Sequence, residues 1–149
     1  MDGHLYDDKA LGALVAQTLF LANRAEDFAW LREAVTNRRH VVLARYWPSA
    51  WVYGQLDGLP RDWLERVQAW LPAPQVCLLL DLPPDQALAR RATRDGGERA
   101  PERYEGRLAT VTRLRALYRQ LWAAHAPWPT VDASLPFDDV VALCELACR

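Results

Sequence analysis

Lysine is almost missing from this sequence: Lys9 is the only lysine among 18 lysines and arginines in 149 residues. The Walker A loop, G-x-x-x-x-G-K-[S/T], needs a lysine preceded by glycine to hold nucleotide phosphates. Lys9 follows Asp8, so these 149 residues contain no such loop. Arginine, whose planar guanidinium grips carboxylates and phosphates through paired hydrogen bonds, carries the remaining positive charge. Genomic base composition alone would also give this preference for arginine over lysine.

Cysteine, net charge and long apolar runs are also scarce. Three cysteines without C-x-x-C spacing do not form a disulfide framework and favour a reducing, cytoplasmic location. No apolar run approaches the roughly 20 residues that cross a bilayer, and no signal-peptide pattern begins the chain. A net charge of -1 gives no general attraction to nucleic acid or anionic membranes. The histidines are isolated, so no metal site is predicted.

The remaining pattern alternates short apolar runs with helical segments. His40–Ala44, Val76–Leu82 and, more weakly, Thr130–Asp132 resemble buried parallel strands. Helices are predicted at Leu11–Asn37 (one long helix or two abutting ones), Ser49–Gln55, Arg61–Leu71, Pro84–Arg94, Glu102–His125 and Asp138–Cys148. The order predicts an α/β fold with a parallel sheet between helical layers, three layers in all, and ligands beyond the carboxyl ends of its strands.

Two polar segments lie between the predicted strands and helices and are candidates for a functional role. Arg45 and Tyr46 come directly after the first predicted strand, where a guanidinium can hold an anion or form a surface salt bridge. The stretch 93–101 contains Gly96 and Gly97 between two helices and reads either as a mobile lid or as a solvated loop. Both alternatives stay open for each segment.

Five short motifs indicate a particular protein family. LFLANRAEDF, VVLARYWPSAWVYG, LLLDLPPDQALARR, ERYE and VDAS occur in this order and cover nearly all of the chain. In this order they resemble the thymidylate kinase family. The resemblance implies a P-loop-kinase-like fold, Mg-ATP as co-substrate and transfer of its γ-phosphate to dTMP.

The resemblance also implies a binding site for dTMP. Phe20 would stack on the thymine, Arg24 would hydrogen-bond the base, Arg45 would hold the phosphate, and Tyr53 would lie beside the deoxyribose. Without the resemblance, a core position for Phe20 and pairing of Arg24 with Glu26 or Asp27 would be favoured. For Tyr53, a position on a core helix face would be equally compatible. Arg103 and Tyr104, which match the R-Y-E after the lid, would lie near the monophosphate nucleotide.

Arginines would stabilise the transition state of the transfer, because phosphoryl transfer depends mainly on positioning and charge neutralisation. The resemblance assigns this role to Arg45, Arg91, Arg94 and Arg99. Arg90 is an alternative to Arg91 as the residue facing the donor. A solvated, charged helix face would also be rich in arginine.

The chain departs from the family at two points. Ala44 stands where the family has the aspartate of its D-R motif, and the Walker A segment is absent. We therefore expect one N-terminally incomplete domain over residues 1–149, with a lid around 93–101 and without the family's first strands. The exposed strand edges would give poor stability or a homodimer. The alternative is a non-catalytic nucleotide-binding or interaction module; a nucleic-acid-binding role for the seven tryptophans is disfavoured by the neutral charge.

Overall fold

A computed structural model describes residues 8–95 and 107–148 of the chain. The chain divides into two compact units, Met1–Ala73 and Pro74–Arg149. Whether they make a single domain over residues 1–149 stays a prediction. The described elements, in chain order, are α1 (Asp8–Thr36), α2 (Trp47–Leu56), α3 (Arg61–Gln68), β1 (Leu79–Asp81), α4 (Pro84–Asp95), α5 (Leu108–Ala124), β2 (Thr130–Asp132) and α6 (Phe137–Ala147).

The first unit, called unit 1 below, contains α1, α2 and α3. The first predicted helix is one continuous helix of 29 residues and not two abutting ones. Pro48 lies in the first turn of α2, where a missing N–H costs nothing, and Pro60 is the residue that precedes α3. The core of this unit includes Trp51, Val52 and Leu64, which are almost fully buried where α2 packs on α3.

The predicted strand at residues 40–44 is wrong, because these residues belong to no strand in the structure. Val42 is 94% exposed, and Leu43 is also exposed. A strand exists only where a neighbouring strand satisfies its backbone N–H and C=O groups. Among the described residues of unit 1 there is no strand to supply that ladder.

The second unit, unit 2, contains a small parallel sheet and three described helices. β1 pairs with β2 in the register Leu79↔Thr130, Leu80↔Val131 and Asp81↔Asp132. One face of α5 packs against β1 and buries Leu117 and Leu121. Only three residues of the predicted strand Val76–Leu82 are paired. The described fold is therefore helix-rich α/β with a two-stranded parallel sheet, and the predicted three-layer sheet is not confirmed.

The remaining helices agree with the predictions to within a few residues at their ends. Pro84 is the first residue of α4, as its position in the sequence predicts. The predicted helix that starts near Glu102 is described from Leu108 onward. In the described ranges, none of the helices has the length and apolar character needed to span a bilayer.

Candidate functional site

Unit 1 contains a cavity of about 270 Å³, called the unit-1 cavity below. One wall is a face of α1 whose residues recur every three or four positions, the spacing that brings side chains onto one side of a helix. Residues of the segment after α1, together with Leu71, complete the lining. The lining residues are Phe20, Asn23, Arg24, Asp27, Phe28, Trp30, Leu31, Leu43, Ala44, Arg45, Tyr46 and Leu71.

Arg24 is a fixed cation in this cavity. Its guanidinium donates to the backbone oxygens of Phe20, at 3.4 Å, and of Tyr46, at 3.2 Å. Burial lowers the pKa of Arg24, and the nearby Tyr46 partly opposes that shift. Arginine stays protonated near neutral pH even so. The guanidinium is held by carbonyls and forms no ion pair with a carboxylate among the described residues, which removes the alternative of a local salt bridge.

Tyr46 lies against the same cation. Burial raises the pKa of the Tyr46 phenol, and the charge of Arg24 works in the opposite direction. Its hydroxyl oxygen is buried and has no hydrogen-bond partner within the described part of the chain. A buried hydroxyl without a partner loses its hydration without compensation, so this wall of the cavity carries an unsatisfied polar group.

Arg45 is held in an unusual backbone conformation. Its φ of 70° lies in the left-handed region, which costs a non-glycine residue about 1 kcal/mol or more. The guanidinium carbon lies 4.8 Å from the centroid of the Tyr53 ring, and an N–H of Arg45 donates to the Tyr53 hydroxyl. Strain of this kind persists where surrounding contacts hold it, and Tyr53 on α2 supplies such contacts.

Four of the residues predicted from the sequence thus lie together in unit 1. Phe20, Arg24 and Arg45 line the cavity, and Tyr53 contacts Arg45. Phe20 is 52% exposed, so it is not a core residue. Ala44 also lines the cavity and places no carboxylate there.

Sequence reasoning missed two polar residues of this cavity, Asn23 and Asp27. They follow Phe20 by three and seven positions and therefore share its face of α1. Helical spacing within LFLANRAEDF could have identified both. Among the described residues, neither side chain forms a hydrogen bond or an ion pair.

Unit 2 has a separate cavity of about 450 Å³ beside β1, α4 and α5. Arg115 on α5 holds Asp81 at the end of β1 through two hydrogen bonds, Nε to Oδ1 at 2.8 Å and Nη2 to Oδ2 at 2.9 Å. These bonds from Arg115 hold the pKa of the Asp81 carboxyl below its usual value. Sequence reasoning did not find Arg115, because a pair separated by 34 positions has no local signal.

The other predicted arginines are only partly described. Arg90 and Arg91 on α4 line the unit-2 cavity, and Arg94 lies in the last turn of the same helix. Arg99, Arg103 and Tyr104 lie outside the described residues, as does most of the predicted lid at 93–101. Their convergence with Arg45 stays a prediction.

Comparison with known proteins identifies relatives of this chain. The family profile described as thymidylate kinase matches residues 1–143. The thymidylate kinase of Xanthomonas campestris pv. campestris strain B100 is 36% identical over 143 residues, which are 92% of this chain and 60% of that protein. That of Xanthomonas oryzae pv. oryzae strain PXO99A is 39% identical over 103 residues, or 68% of this chain and 42% of that protein.

A more distant relative carries a similar name. The probable thymidylate kinase of Pyrobaculum aerophilum is 30% identical over 125 residues, covering 83% of this chain and 62% of that protein. The chain thus spans about 60% of the length of the first of these curated relatives.

Proposed function

The chain belongs to the thymidylate kinase family, and we propose that its unit-1 cavity binds dTMP, the phosphoryl acceptor. The observation that carries this proposal is the meeting of Phe20, Arg24 and Arg45 around one cavity, with Tyr53 against Arg45. These residues come from α1, the segment before α2, and α2 itself. An aromatic ring and two guanidinium groups together match a ligand with a flat base and a phosphate.

Phe20 and Arg24 suit the base. The exposed Phe20 ring offers a face on which a pyrimidine can stack, and stacking of this kind contributes about 1–3 kcal/mol per base. The guanidinium of Arg24 is held in place by the carbonyls of Phe20 and Tyr46. Since a guanidinium has five N–H donors, it retains donors for a base carbonyl oxygen.

Arg45 and Tyr53 suit the phosphate and the sugar. Arginine binds phosphate through two parallel hydrogen bonds, and a guanidinium held against the Tyr53 ring loses less conformational freedom on binding. Tyr53 would lie beside the sugar and disfavour a 2′-hydroxyl. The contact between Arg45 and Tyr53 is compatible with a nucleoside monophosphate, and the preference for deoxyribose rests on the family resemblance of Tyr53.

The residues of this chain do not fit Mg-ATP in the same way. A Walker A loop is absent from the 149 residues, and the donor-side arginines Arg91 and Arg94 belong to unit 2. The function proposed for this chain is therefore to hold the acceptor. The roles of Arg99, Arg103 and Tyr104, a homodimer, and a cytoplasmic location stay predictions.

Ala44 favours a second candidate, a non-catalytic nucleotide-binding or interaction module. It lines the unit-1 cavity at the position where the family has the aspartate of its D-R motif. An alanine cannot accept a proton or position a metal there. Formation of ADP from Mg-ATP by this chain in the presence of dTMP would reject the second candidate.

Calorimetric titration of the purified chain with dTMP tests the proposal. We expect saturable binding of dTMP, weaker binding of UMP, and a dTMP affinity about 10-fold to 100-fold lower in Arg24→Ala, because a hydrogen bond from a charged donor contributes about 1.5–3 kcal/mol. Arg39→Ala is the matched control, since Arg39 is exposed and does not line the cavity. No binding of dTMP, or equal losses in the two variants, would contradict the assigned site.

A further inference from the structure

We propose that Asp27 determines which pyrimidine enters the unit-1 cavity, by accepting a hydrogen bond from the N3–H of the base. This inference rests on the proposed binding of dTMP and names a selectivity residue within that site. It predicts a preference for bases that carry a proton on N3, such as thymine and uracil, over cytosine bases.

The position of Asp27 on α1 supports this role. Phe20, Arg24 and Asp27 follow one another at intervals of four and three residues on the helix face that lines the cavity. An α-helix rises about 1.5 Å per residue, so the positions of Arg24 and Asp27 are separated by about 4.5 Å along the helix axis. A base stacked on Phe20 would therefore meet a fixed cation and a carboxylate side by side at its polar edge.

The hydrogen-bonding chemistry of the two groups is complementary to thymine. A guanidinium only donates hydrogen bonds and a carboxylate only accepts them. Thymine presents an acceptor at O4 next to a donor at N3–H, so Arg24 and Asp27 can satisfy both groups together. Cytosine presents a donor at its 4-amino group and a bare acceptor at N3, which would place donor against donor and acceptor against acceptor.

Asp27 is available for this bond. Among the described residues its carboxylate has no hydrogen bond and no ion pair, and it is exposed where it lines the cavity. Arg24, three residues away, is held by backbone carbonyls. A ligand would therefore not have to break a contact between Asp27 and another described residue in order to bind it.

The test compares dTMP with 5-methyl-dCMP, because these two nucleotides differ only in the N3 proton and the group at C4. Their dissociation constants are measured by calorimetry for the unaltered chain, for Asp27→Asn, and for Glu26→Gln. Glu26→Gln removes the same charge from an adjacent, exposed position that does not line the cavity. An asparagine can present either its oxygen or its amino group to the base, so it should lose the discrimination.

We expect the unaltered chain and Glu26→Gln to favour dTMP by about 10-fold or more, which corresponds to one charge-assisted hydrogen bond. In Asp27→Asn the preference should shrink to within about threefold. If Asp27→Asn keeps the full preference, or the unaltered chain binds both nucleotides equally or favours 5-methyl-dCMP, the inference is overturned while dTMP binding stands. If the unaltered chain binds neither nucleotide, the inference and the proposed function fall together.

Discussion

Gly54 makes the packing of α2 on α3 directly testable. A Cβ atom built on Gly54 would lie 2.5 Å from Cδ2 and 2.9 Å from Cδ1 of Leu64. Both distances are shorter than carbon atoms tolerate, so Leu64 must move if Gly54 becomes alanine. Leu64 is 0% exposed, so it has little room to do so. The substitution Gly54→Ala should therefore strain the core of unit 1.

The expected size follows from two opposing effects. Overpacking a well-packed core costs about 1–3 kcal/mol. Alanine in place of glycine inside a helix contributes about 0.5–1 kcal/mol of stability. Gly54→Ala should thus lower the free energy of unfolding by up to about 2.5 kcal/mol. Gly12→Ala, in the exposed part of α1 with no atom within 4 Å of the new Cβ, should raise it by about 0.5–1 kcal/mol.

Urea unfolding followed by tryptophan fluorescence measures both changes, and the buried Trp51 on α2 reports on unit 1. With m-values of about 1–3 kcal/mol per molar urea, a change of 1 kcal/mol moves the midpoint by about 0.3–1 M. The Gly54→Ala midpoint should fall and the Gly12→Ala midpoint should rise. Leu64→Ala should also cost less in the Gly54→Ala background than alone, since it removes the clash. Equal stabilisation by both glycine substitutions would refute the reasoning.

Two further predictions concern unit 2. Hydrogen bonds from Arg115 lower the pKa of Asp81 in the folded state. The ionised Asp81 carboxylate should therefore contribute its full stabilisation above the unfolded pKa, near 3.9. This stabilisation should be lost as the pH falls through the folded pKa. The stability difference between the unaltered chain and Asp81→Asn in urea unfolding should therefore shrink below about pH 4; a difference that does not change with pH would contradict this. Burial raises the pKa of the half-buried Cys77 thiol, which lowers its reactive thiolate fraction. Iodoacetamide at pH 8 should therefore label the exposed Cys148 before Cys77, as followed by mass spectrometry. Equal labelling rates of the two cysteines in the folded chain would contradict this prediction.

Local patterns predicted the helices well. Pro84 opens α4 because a first-turn proline loses no helical hydrogen bond, and the apolar spacing from Leu11 onward matches α1. Thr130–Asp132 was predicted as a strand from a short run and is β2. These elements depend on residues within a few positions of one another, so their sequences contain the necessary signal.

Features that depend on distant residues were harder to predict. His40–Ala44 has the composition of a buried strand, but a strand needs a hydrogen-bonded neighbour, and none is found in the described part of unit 1. The pair of Asp81 and Arg115 joins β1 to α5 and could not be read from local spacing. Phe20, Arg24 and Arg45 were proposed from motif order. Helical spacing places Asp27 on the same face of α1, but only the structure shows that this face lines a cavity.

The contact between the nucleotide and Phe20 tests the central claim most directly. In an isotope-labelled sample of the chain saturated with dTMP, nuclear Overhauser effects from the thymine methyl and H6 protons would identify the side chains around the base. The account predicts contacts to the ring protons of Phe20, and their loss in Phe20→Leu. Contacts to the unit-2 cavity around Leu88 and Tyr118, or no contacts to Phe20 in a saturated sample, would contradict the assignment of the unit-1 cavity as the dTMP site.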